Sequence, residues 1–224
     1  MDWRVYAELL DAHVSQGEIN GTSLSVVNYS GIKSDARFQE VARQFASASE
    51  AGFQSKQEKL AFYINAYNFF AMKMVVDHWP LESIRDVGSW ISPVWKKNVG
   101  VLAGREVTLH EVEHEILRKL DEPRIHFAIV CASVSCPDLL AEPYRGDTLD
   151  EQLEQQTLAF LNNEKKGLRI EKQEIRLSKI FDWFEDDFES VGGIESFVRQ
   201  YKPSLPSGFD VETDIHYDWA LNGQ

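Results

Sequence analysis

The sequence has only two cysteines, Cys131 and Cys136, among its 224 residues. Small secreted domains that depend on disulfides are rich in cysteine, so this low content excludes a disulfide scaffold. A chain of this length also has enough apolar surface to form a stable core without covalent crosslinks. Any role of the two cysteines is therefore a local one.

Long apolar runs and an export signal are also lacking. No segment approaches the roughly 20 apolar residues that a helix needs to span a bilayer. The stretch Met1-Asp2-Trp3-Arg4 has neither the basic nor the apolar region of a leader. We therefore expect a soluble protein that is cytoplasmic as written. The same features also fit the mature form of an exported protein.

Positive charge is in short supply. The chain has 23 basic and 36 acidic residues, which give a formal net charge of −13. Such a surface repels phosphate backbones and anionic lipid headgroups, so we expect neither a nucleic acid nor a membrane as a partner. A small peptide or a protein is the expected kind of partner. No cofactor is expected.

Apolar residues, in contrast, are plentiful, at 43% of the chain. No interior linker, repeat or low-complexity tract appears, which predicts a single domain over residues 1–224. Helical spacing of apolar residues predicts helices over 3–14, 38–52, 55–78, 108–120, 149–161, 178–188 and 194–201. Alternation predicts hairpins over 94–107 and 168–177, and an apolar run predicts a buried strand over 125–131. The expected fold class is α+β: mainly helical, with a small, mostly antiparallel sheet and β-hairpins around a buried central helix.

The best candidate for chemistry is the segment from His126 to Pro137. The predicted strand places His126 at its start and the two cysteines around a small-residue loop at its end, where active-site groups often lie. A thiol reacts as its thiolate, which needs a nearby base or cation. Along a strand, His126 and Cys131 point to opposite faces, so Cys136 is the preferred nucleophile.

Other interpretations of the two cysteines stay open. Cys131 is also typical of a small buried hydrophobic residue, and Cys136 of a loop residue. The pair could form a local disulfide, which spacing alone cannot establish, although the gap is wider than in thioredoxin-like Cys-x-x-Cys sites. Zinc would need further ligands such as His126 and His114. No familiar spacing links these residues, and we predict no metal site.

Glu113 occupies an unusual place in the helix that begins at Thr108. It falls in the middle of the apolar stripe, whereas His114 falls on the other side. A carboxylate directed into the interior must be paired or protonated, so Glu113 needs a partner such as Arg124, His126 or a backbone N–H. The sequence predicts either a buried ion pair that fixes the helix, or a catalytic base or orienting group.

Asn65 and Asn68 lie three residues apart on the predicted central helix. Buried amides need hydrogen bonds, so this pair either locks neighbouring backbone or lines a polar cleft that holds a substrate amide or an oxyanion. The acidic segment 182–187 is interpreted as a solvated helix face. Three tryptophans are predicted to lie in the core: Trp95, Trp183 and Trp219.

Four motifs occur together, in order, along the chain. They are Lys59-Leu-Ala-Phe-Tyr-Ile-Asn-Ala-Tyr-Asn68, the segment 109–118 with Glu113-His114, Pro123-Arg-Ile-His-Phe-Ala-Ile-Val-Cys-Ala-Ser-Val-Ser-Cys-Pro137, and Tyr217-Asp-Trp-Ala-Leu-Asn222. In this combination the sequence resembles the domain of unknown function family 547 over essentially the whole chain. The resemblance implies a single mixed helix-and-hairpin domain and no settled activity. The positions that match the family's motifs are Asn65, Asn68, Glu113, His114, His126, Cys131, Cys136 and Pro137.

Two functions fit these residues. The first is a thiol-dependent hydrolase or acyl transferase, similar in its residue types to papain-like and transglutaminase-like enzymes, although the central helix has no cysteine at its start. Its catalytic residues would be Cys136, Cys131, His126, Glu113 and His114, and its substrate-binding residues Asn65, Asn68, Ser133 and Ser135. The second is a non-catalytic module that binds a peptide or protein, in which the same residues form a structural polar network.

Overall fold

The computed structural model describes residues 1–89 and 91–224. Most of the regular structure in these residues is α-helical. The helices are α1 (Arg4–His13), α2 (Tyr29–Ser34), α3 (Ala36–Ser47), α4 (Lys56–Asp77), α5 (Leu149–Asn162), α6 (Lys179–Trp183), α7 (Glu185–Phe188) and α8 (Gly193–Tyr201). Between α4 and α5 lie a π-helical segment (Glu111–Leu117) and several 3₁₀ turns.

The strands form three small sheets in the described part of the chain. They are β1 (Val14–Ile19), β2 (Thr22–Val27), β3 (Asn98–Leu102), β4 (Arg105–Thr108), β5 (Leu168–Glu171), β6 (Glu174–Ser178) and β7 (Asp210–Ile215). The pairs β1–β2, β3–β4 and β5–β6 are antiparallel, and β7 joins β6 in parallel. The architecture is thus mainly helical α+β with small, mostly antiparallel sheets, which confirms the predicted fold class.

The long helix α4 lies in the centre of the core. Sixteen of its 22 residues are buried, because apolar side chains cover nearly its whole circumference. The Ser55 hydroxyl caps its first turn by accepting the Glu58 backbone N–H at 3.1 Å. Phe38 and Phe45 of α3 pack on Phe69, with ring centroids 5.1 and 5.2 Å apart. No helix of the described residues is long and apolar enough to cross a membrane.

The predicted elements leave residues 15–37 without regular structure, but the hairpin β1–β2 and the helix α2 lie there. The hairpin turns at Asn20 and Gly21, whose φ angles are 52° and 73°. A two-residue hairpin turn needs this pair of positive φ angles, and Asn-Gly is the dipeptide that most readily adopts them. That dipeptide is the signal from which the hairpin could have been predicted.

The predicted buried strand over 125–131 is wrong. Pro123–Phe127 form a 3₁₀ turn, which Glu122 caps by accepting the Arg124 backbone N–H at 3.2 Å. Proline at the first helical position favours this turn. A strand would also need a second strand to pair with its backbone N–H and carbonyl groups. Here the side chain of Asn68 satisfies the backbone instead, by bonding residues 128 and 130.

Most other predicted elements are present with changed bounds. The hairpin predicted over 94–107 begins only at β3, because Val94–Lys96 form a 3₁₀ turn. The helix predicted over 178–188 is divided at Phe184 into α6 and α7. The helix predicted over 108–120 is π-helical and then 3₁₀. The strand β7 was not predicted.

The C-terminal segment lies along the N-terminal hairpin. Gly223 forms a parallel bridge with Val27, and the Val27 N–H donates to the Asn222 carbonyl at 3.0 Å. At the hairpin turn, the Asn20 side chain donates to the Asp218 carboxylate at 2.9 Å. The two ends of the chain therefore hold each other in place.

Candidate active site

A cleft of about 170 Å³ opens between α4, the π-helical segment, α6 and the segments that hold the cysteines and the C-terminal tyrosine. Its walls are mainly aromatic: Trp95, Trp183, Phe184, Tyr217 and Trp219. Its polar groups are those of Tyr67, His110, Glu113, His114 and His126, together with the sulfurs of Cys131 and Cys136. The cleft therefore brings together all the residues predicted to be catalytic.

The two cysteines of the cleft form a disulfide, with Cα atoms 6.2 Å apart. Their settings differ. Cys131 is only partly buried, whereas Cys136 is 3% exposed. The local disulfide is thus the alternative that the structure adopts, and the more exposed cysteine is Cys131 rather than Cys136, the preferred nucleophile of the sequence prediction.

Two hydrogen-bond donors meet the buried sulfur. The Cys131 backbone N–H lies 2.9 Å from the Cys136 sulfur, and the Tyr217 hydroxyl lies 3.2 Å from it. The Tyr217 oxygen also accepts the Ser133 hydroxyl at 3.2 Å, which leaves its own proton for a sulfur. Burial, followed by the charge of Glu113, raises the pKa of Tyr217. The hydroxyl therefore stays protonated and can donate.

Glu113 belongs to the π-helical segment and turns its carboxyl toward α4. Burial raises the pKa of Glu113 to about 7. The Tyr67 hydroxyl of α4 is the group that acts most strongly to lower the pKa of this carboxyl, followed by the charge of Arg118. Arg124, one of the three partners suggested for Glu113 by the sequence, instead bonds Glu122 at 2.6 Å.

His126 is buried and fixed by Asp187. Its Nε2 lies 2.7 Å from the Asp187 carboxylate, which places the ring proton on Nε2. The imidazole stacks on Phe184 with ring centroids 4.1 Å apart. Burial lowers the pKa of His126 despite the opposing effect of Asp187, so the ring is neutral. Its buried Nδ1 has no hydrogen-bond partner among the described residues.

Arg118 links Asp187 to His114. The guanidinium forms two bonds to the Asp187 carboxylate, at 2.7 and 2.8 Å, and a third to His114 Nδ1 at 2.8 Å. Burial acts to raise the pKa of Asp187, but the hydrogen bonds from His126 and Arg118 outweigh it and lower that pKa. Burial, then the charges of His110 and Arg118, lower the pKa of His114 to about 4. In the described part of the chain, neither His114 nor His126 hydrogen-bonds a sulfur.

A family model matches the middle of the chain. It is described as "Protein of unknown function, DUF547", and it covers residues 52–161, about half of the chain. Residues 52–161 belong to the DUF547 family. The predicted family is thereby confirmed for this region, and its extension over the flanking residues stays a prediction. No curated protein and no solved structure matches the chain.

The DUF547 region does not complete the cleft by itself. It contributes α4, the π-helical segment and the disulfide loop, with Tyr67 and Glu113. Trp183, Asp187 and Tyr217 come from the chain that follows it. Sites formed by residues far apart in the sequence leave little local signal, and this explains why the roles of these residues were not predicted.

The two asparagines of the DUF547 region lock the backbone and do not line the cleft. Asn65 donates to the Tyr144 carbonyl at 2.8 Å and accepts the Tyr144 N–H at 2.9 Å. Asn68 bonds Ala128 O and the Val130 N–H at 2.9 and 2.8 Å. Both amides are buried and paired at both atoms. Of the two roles left open for these asparagines, the structure shows the first, in which they lock the neighbouring backbone.

The predicted substrate-binding serines are also engaged within the protein. Ser133 is buried and donates to Tyr217, and Ser135 accepts the Asp218 backbone N–H at 2.8 Å. Both serines therefore fix the C-terminal segment. The predictions for two other residues are wrong. Trp183 is 45% exposed and lines the cleft, and Asp187 is the ion-pair partner described above rather than part of a solvated face.

Proposed function

We propose that the cleft catalyses thiol–disulfide exchange on the thiols of small peptides or proteins. The observation that supports this most is the asymmetry of the disulfide. Cys131 is only partly buried, whereas Cys136 is buried, and a backbone N–H points at the Cys136 sulfur alone. In thiol–disulfide exchange, the attacked sulfur must be accessible and the leaving sulfur must be stabilised as a thiolate. Cys131 suits the first role, and Cys136 suits the second.

In the first step, a substrate thiolate attacks the Cys131 sulfur. A bond between the substrate sulfur and Cys131 forms, the Cys131–Cys136 bond breaks, and its electron pair goes to Cys136 as a thiolate. A second substrate thiolate then attacks the substrate sulfur of this mixed disulfide and releases Cys131. Two substrate thiols are oxidised to one disulfide, and the protein disulfide is reduced to two thiols. A second substrate that is itself a disulfide restores the protein by the same steps in reverse.

The buried sulfur is the leaving group of the first step. A thiolate is a charged acceptor, so it gains more from a donor than a neutral sulfur does. The Cys131 N–H and the Tyr217 hydroxyl already lie at 2.9 and 3.2 Å from Cys136. Both stabilise the developing charge, and a more stable leaving thiolate departs faster.

Glu113 is the acid and base of this proposal. With a pKa of about 7, its carboxyl is present in both protonation states near neutral pH, which suits proton transfer. Its charge acts on Tyr217, which contacts both sulfurs. We assign to Glu113 the delivery of the proton that the Cys136 thiolate takes up.

Thiol-dependent hydrolysis or acyl transfer is a second candidate function. The observation that favours it is the presence of a near-neutral carboxyl, Glu113, in the same cleft as the accessible Cys131. After reduction of the disulfide, Cys131 would be the nucleophile and Glu113 the base. This function also fits a cytoplasmic chain, in which disulfides are mostly transient, catalytic or redox-sensing.

Reduction of the folded protein by dithiothreitol tests exchange directly. Alkylation followed by peptide mass spectrometry reports each thiol over time. We expect reduction faster than that of oxidised glutathione under the same conditions. In the Cys136→Ser variant, incubation with oxidised glutathione should form a mixed disulfide between Cys131 and glutathione and release one reduced glutathione. The matched Cys131→Ser variant should stay unmodified, because its remaining thiol is buried. A disulfide that resists reduction until the protein unfolds contradicts the proposal and favours the non-catalytic binding function.

A further inference from the structure

A second, polar groove of about 580 Å³ adjoins the cleft. The indole rings of Trp95 and Trp219 line both spaces. A ligand that extends out of the cleft past these rings therefore enters the groove. The polar side chains of the groove include those of Ser83, Arg85 and Asp86.

Arg85 is the cation of this groove. Its guanidinium lies over the ring of Trp219, with Cζ 4.9 Å from the ring centroid, and this contact orients its plane. Asp86, its neighbour in sequence, is engaged in accepting the Ser83 backbone N–H at 2.9 Å. Every other arginine among residues 1–89 and 91–224 pairs with a carboxylate. Arg85 alone has no acidic partner in the described chain, although the net charge is −13.

We infer that this groove binds a carboxylate of the substrate, so that the preferred thiols have a carboxylate a few bonds from the sulfur. The inference rests on the proposed exchange reaction and names its substrate class. The substrate sulfur lies at Cys131, its apolar part against Trp219, which lines both the cleft and the groove, and its carboxylate at Arg85. A guanidinium presents parallel N–H donors that match the two oxygens of a carboxylate.

Ligand binding is measured first without the exchange reaction. 3-Phenylpropionate combines an aromatic ring with a carboxylate on a short tether, and 3-phenylpropionamide is its neutral match. Each is titrated by tryptophan fluorescence into the wild type, Arg85→Gln, Arg85→Lys and Arg43→Gln. The last variant is the control, because it removes the same charge from a pair with Glu40 that lies outside both the cleft and the groove.

We expect Arg85→Gln to weaken binding of 3-phenylpropionate about fivefold, as for an exposed ion pair, and to leave binding of the amide unchanged. Arg85→Lys should lie between the wild type and Arg85→Gln, because it keeps the charge and loses the paired donors. Arg43→Gln should match the wild type. Equal affinity of the wild type for both ligands, absence of binding, or an equal loss in Arg43→Gln overturns the inference.

Exchange rates then separate this inference from the function on which it rests. The disulfide is reduced with 3-mercaptopropionate and with 3-mercaptopropionamide. We expect Arg85→Gln to lower the ratio of the two rates about fivefold. Exchange with both thiols at an unchanged ratio overturns the carboxylate site and leaves the exchange function standing. Exchange with neither thiol, together with Arg85-dependent binding of 3-phenylpropionate, overturns the exchange function and leaves the site standing.

Discussion

Two sets of buried polar residues in the DUF547 region use their hydrogen bonds differently. Asn65 and Asn68 on α4 are paired at both amide atoms with backbone groups. Burial raises the pKa of Glu113 to about 7, and the buried Nδ1 of His126 has no hydrogen-bond partner among residues 1–89 and 91–224. Complete pairing marks a residue that holds the fold, whereas incomplete pairing and a shifted pKa in a residue that lines the cleft mark one that is available for chemistry. The predictions below test this contrast.

Asn68→Ala should cause the largest loss of stability. It leaves the Ala128 carbonyl and the Val130 N–H buried without their partner, and each unpaired group costs about 1–3 kcal/mol. We expect the free energy of unfolding, measured in urea at neutral pH, to fall by about 3 kcal/mol. Asn162→Ala, at an exposed position at the end of α5, is the control and should change it by less than about 0.5 kcal/mol. Equal losses of stability in the two variants would show that the paired amide of Asn68 does not hold the fold.

Glu113 should make stability depend on pH. Its pKa is about 7 in the folded chain, against an ordinary value of 4.5. Between these values the native state binds more protons than the unfolded chain, so its stability is complete at low pH and falls as the pH rises. From about pH 5 to about pH 8, the wild type should lose about 2–3 kcal/mol relative to Glu113→Gln in urea unfolding.

The control for this effect is Glu115→Gln, which removes an exposed carboxylate from the same π-helical segment. Glu115 has a lowered pKa because of its hydrogen bond with Lys119, so this variant should keep the wild-type fall between the two pH values. A wild type and a Glu113→Gln variant that respond to pH in parallel would show that Glu113 is not a buried acid.

Tyr217→Phe should slow exchange and leave the fold stable. The variant removes the hydroxyl donor 3.2 Å from the Cys136 sulfur, and a hydrogen bond to a charged group contributes about 1.5 kcal/mol, or about tenfold in rate. Dithiothreitol reduction measures this. Tyr144→Phe is the matched control, because it removes a buried hydroxyl that has no partner. If both variants react at the wild-type rate, Tyr217 does not assist the leaving thiolate.

His114→Gln should have the smallest effect, on the pH dependence of exchange. The pKa of His114 is about 4, so the ring stays neutral from about pH 5 to about pH 8. We expect the exchange rate of the wild type to change near pH 7, the pKa of Glu113. This inflection should persist in His114→Gln and disappear in Glu113→Gln. Rate–pH profiles of both variants measure this. Loss of the inflection in His114→Gln would indicate that His114, rather than Glu113, is the acid and base.

The parts of the fold that the sequence predicts are those with a local signal. The apolar circumference of α4 and the alternation of β5–β6 are visible in short windows, and both elements are confirmed. The strand predicted over 125–131 failed because the partner that satisfies this backbone is the side chain of Asn68, some 60 residues earlier. An apolar run alone does not tell a strand from another buried segment.

The candidate site was predictable only in part, for a related reason. The composition of the 126–137 segment identified the two cysteines as a pair. Their disulfide depends on a sharp turn in which Ala132 has a φ of 61°. Alanine rarely adopts a positive φ, so the sequence contains no residue from which this turn could be predicted. Tyr217 reaches the sulfurs from 81 residues beyond Cys136, a distance over which periodicity carries no information.

The contact between the two chain ends sets the order in which the cleft can form. Pairing of Val27 with Gly223 closes a loop that contains almost the entire fold, and contacts so distant in sequence form late in folding. Tyr217 and Trp219 arrive with that closure. During synthesis the disulfide loop therefore leaves the ribosome well before Trp183, Tyr217 and Trp219, and the complete cleft first exists when residues 217–223 have been made and have docked on the hairpin β1–β2.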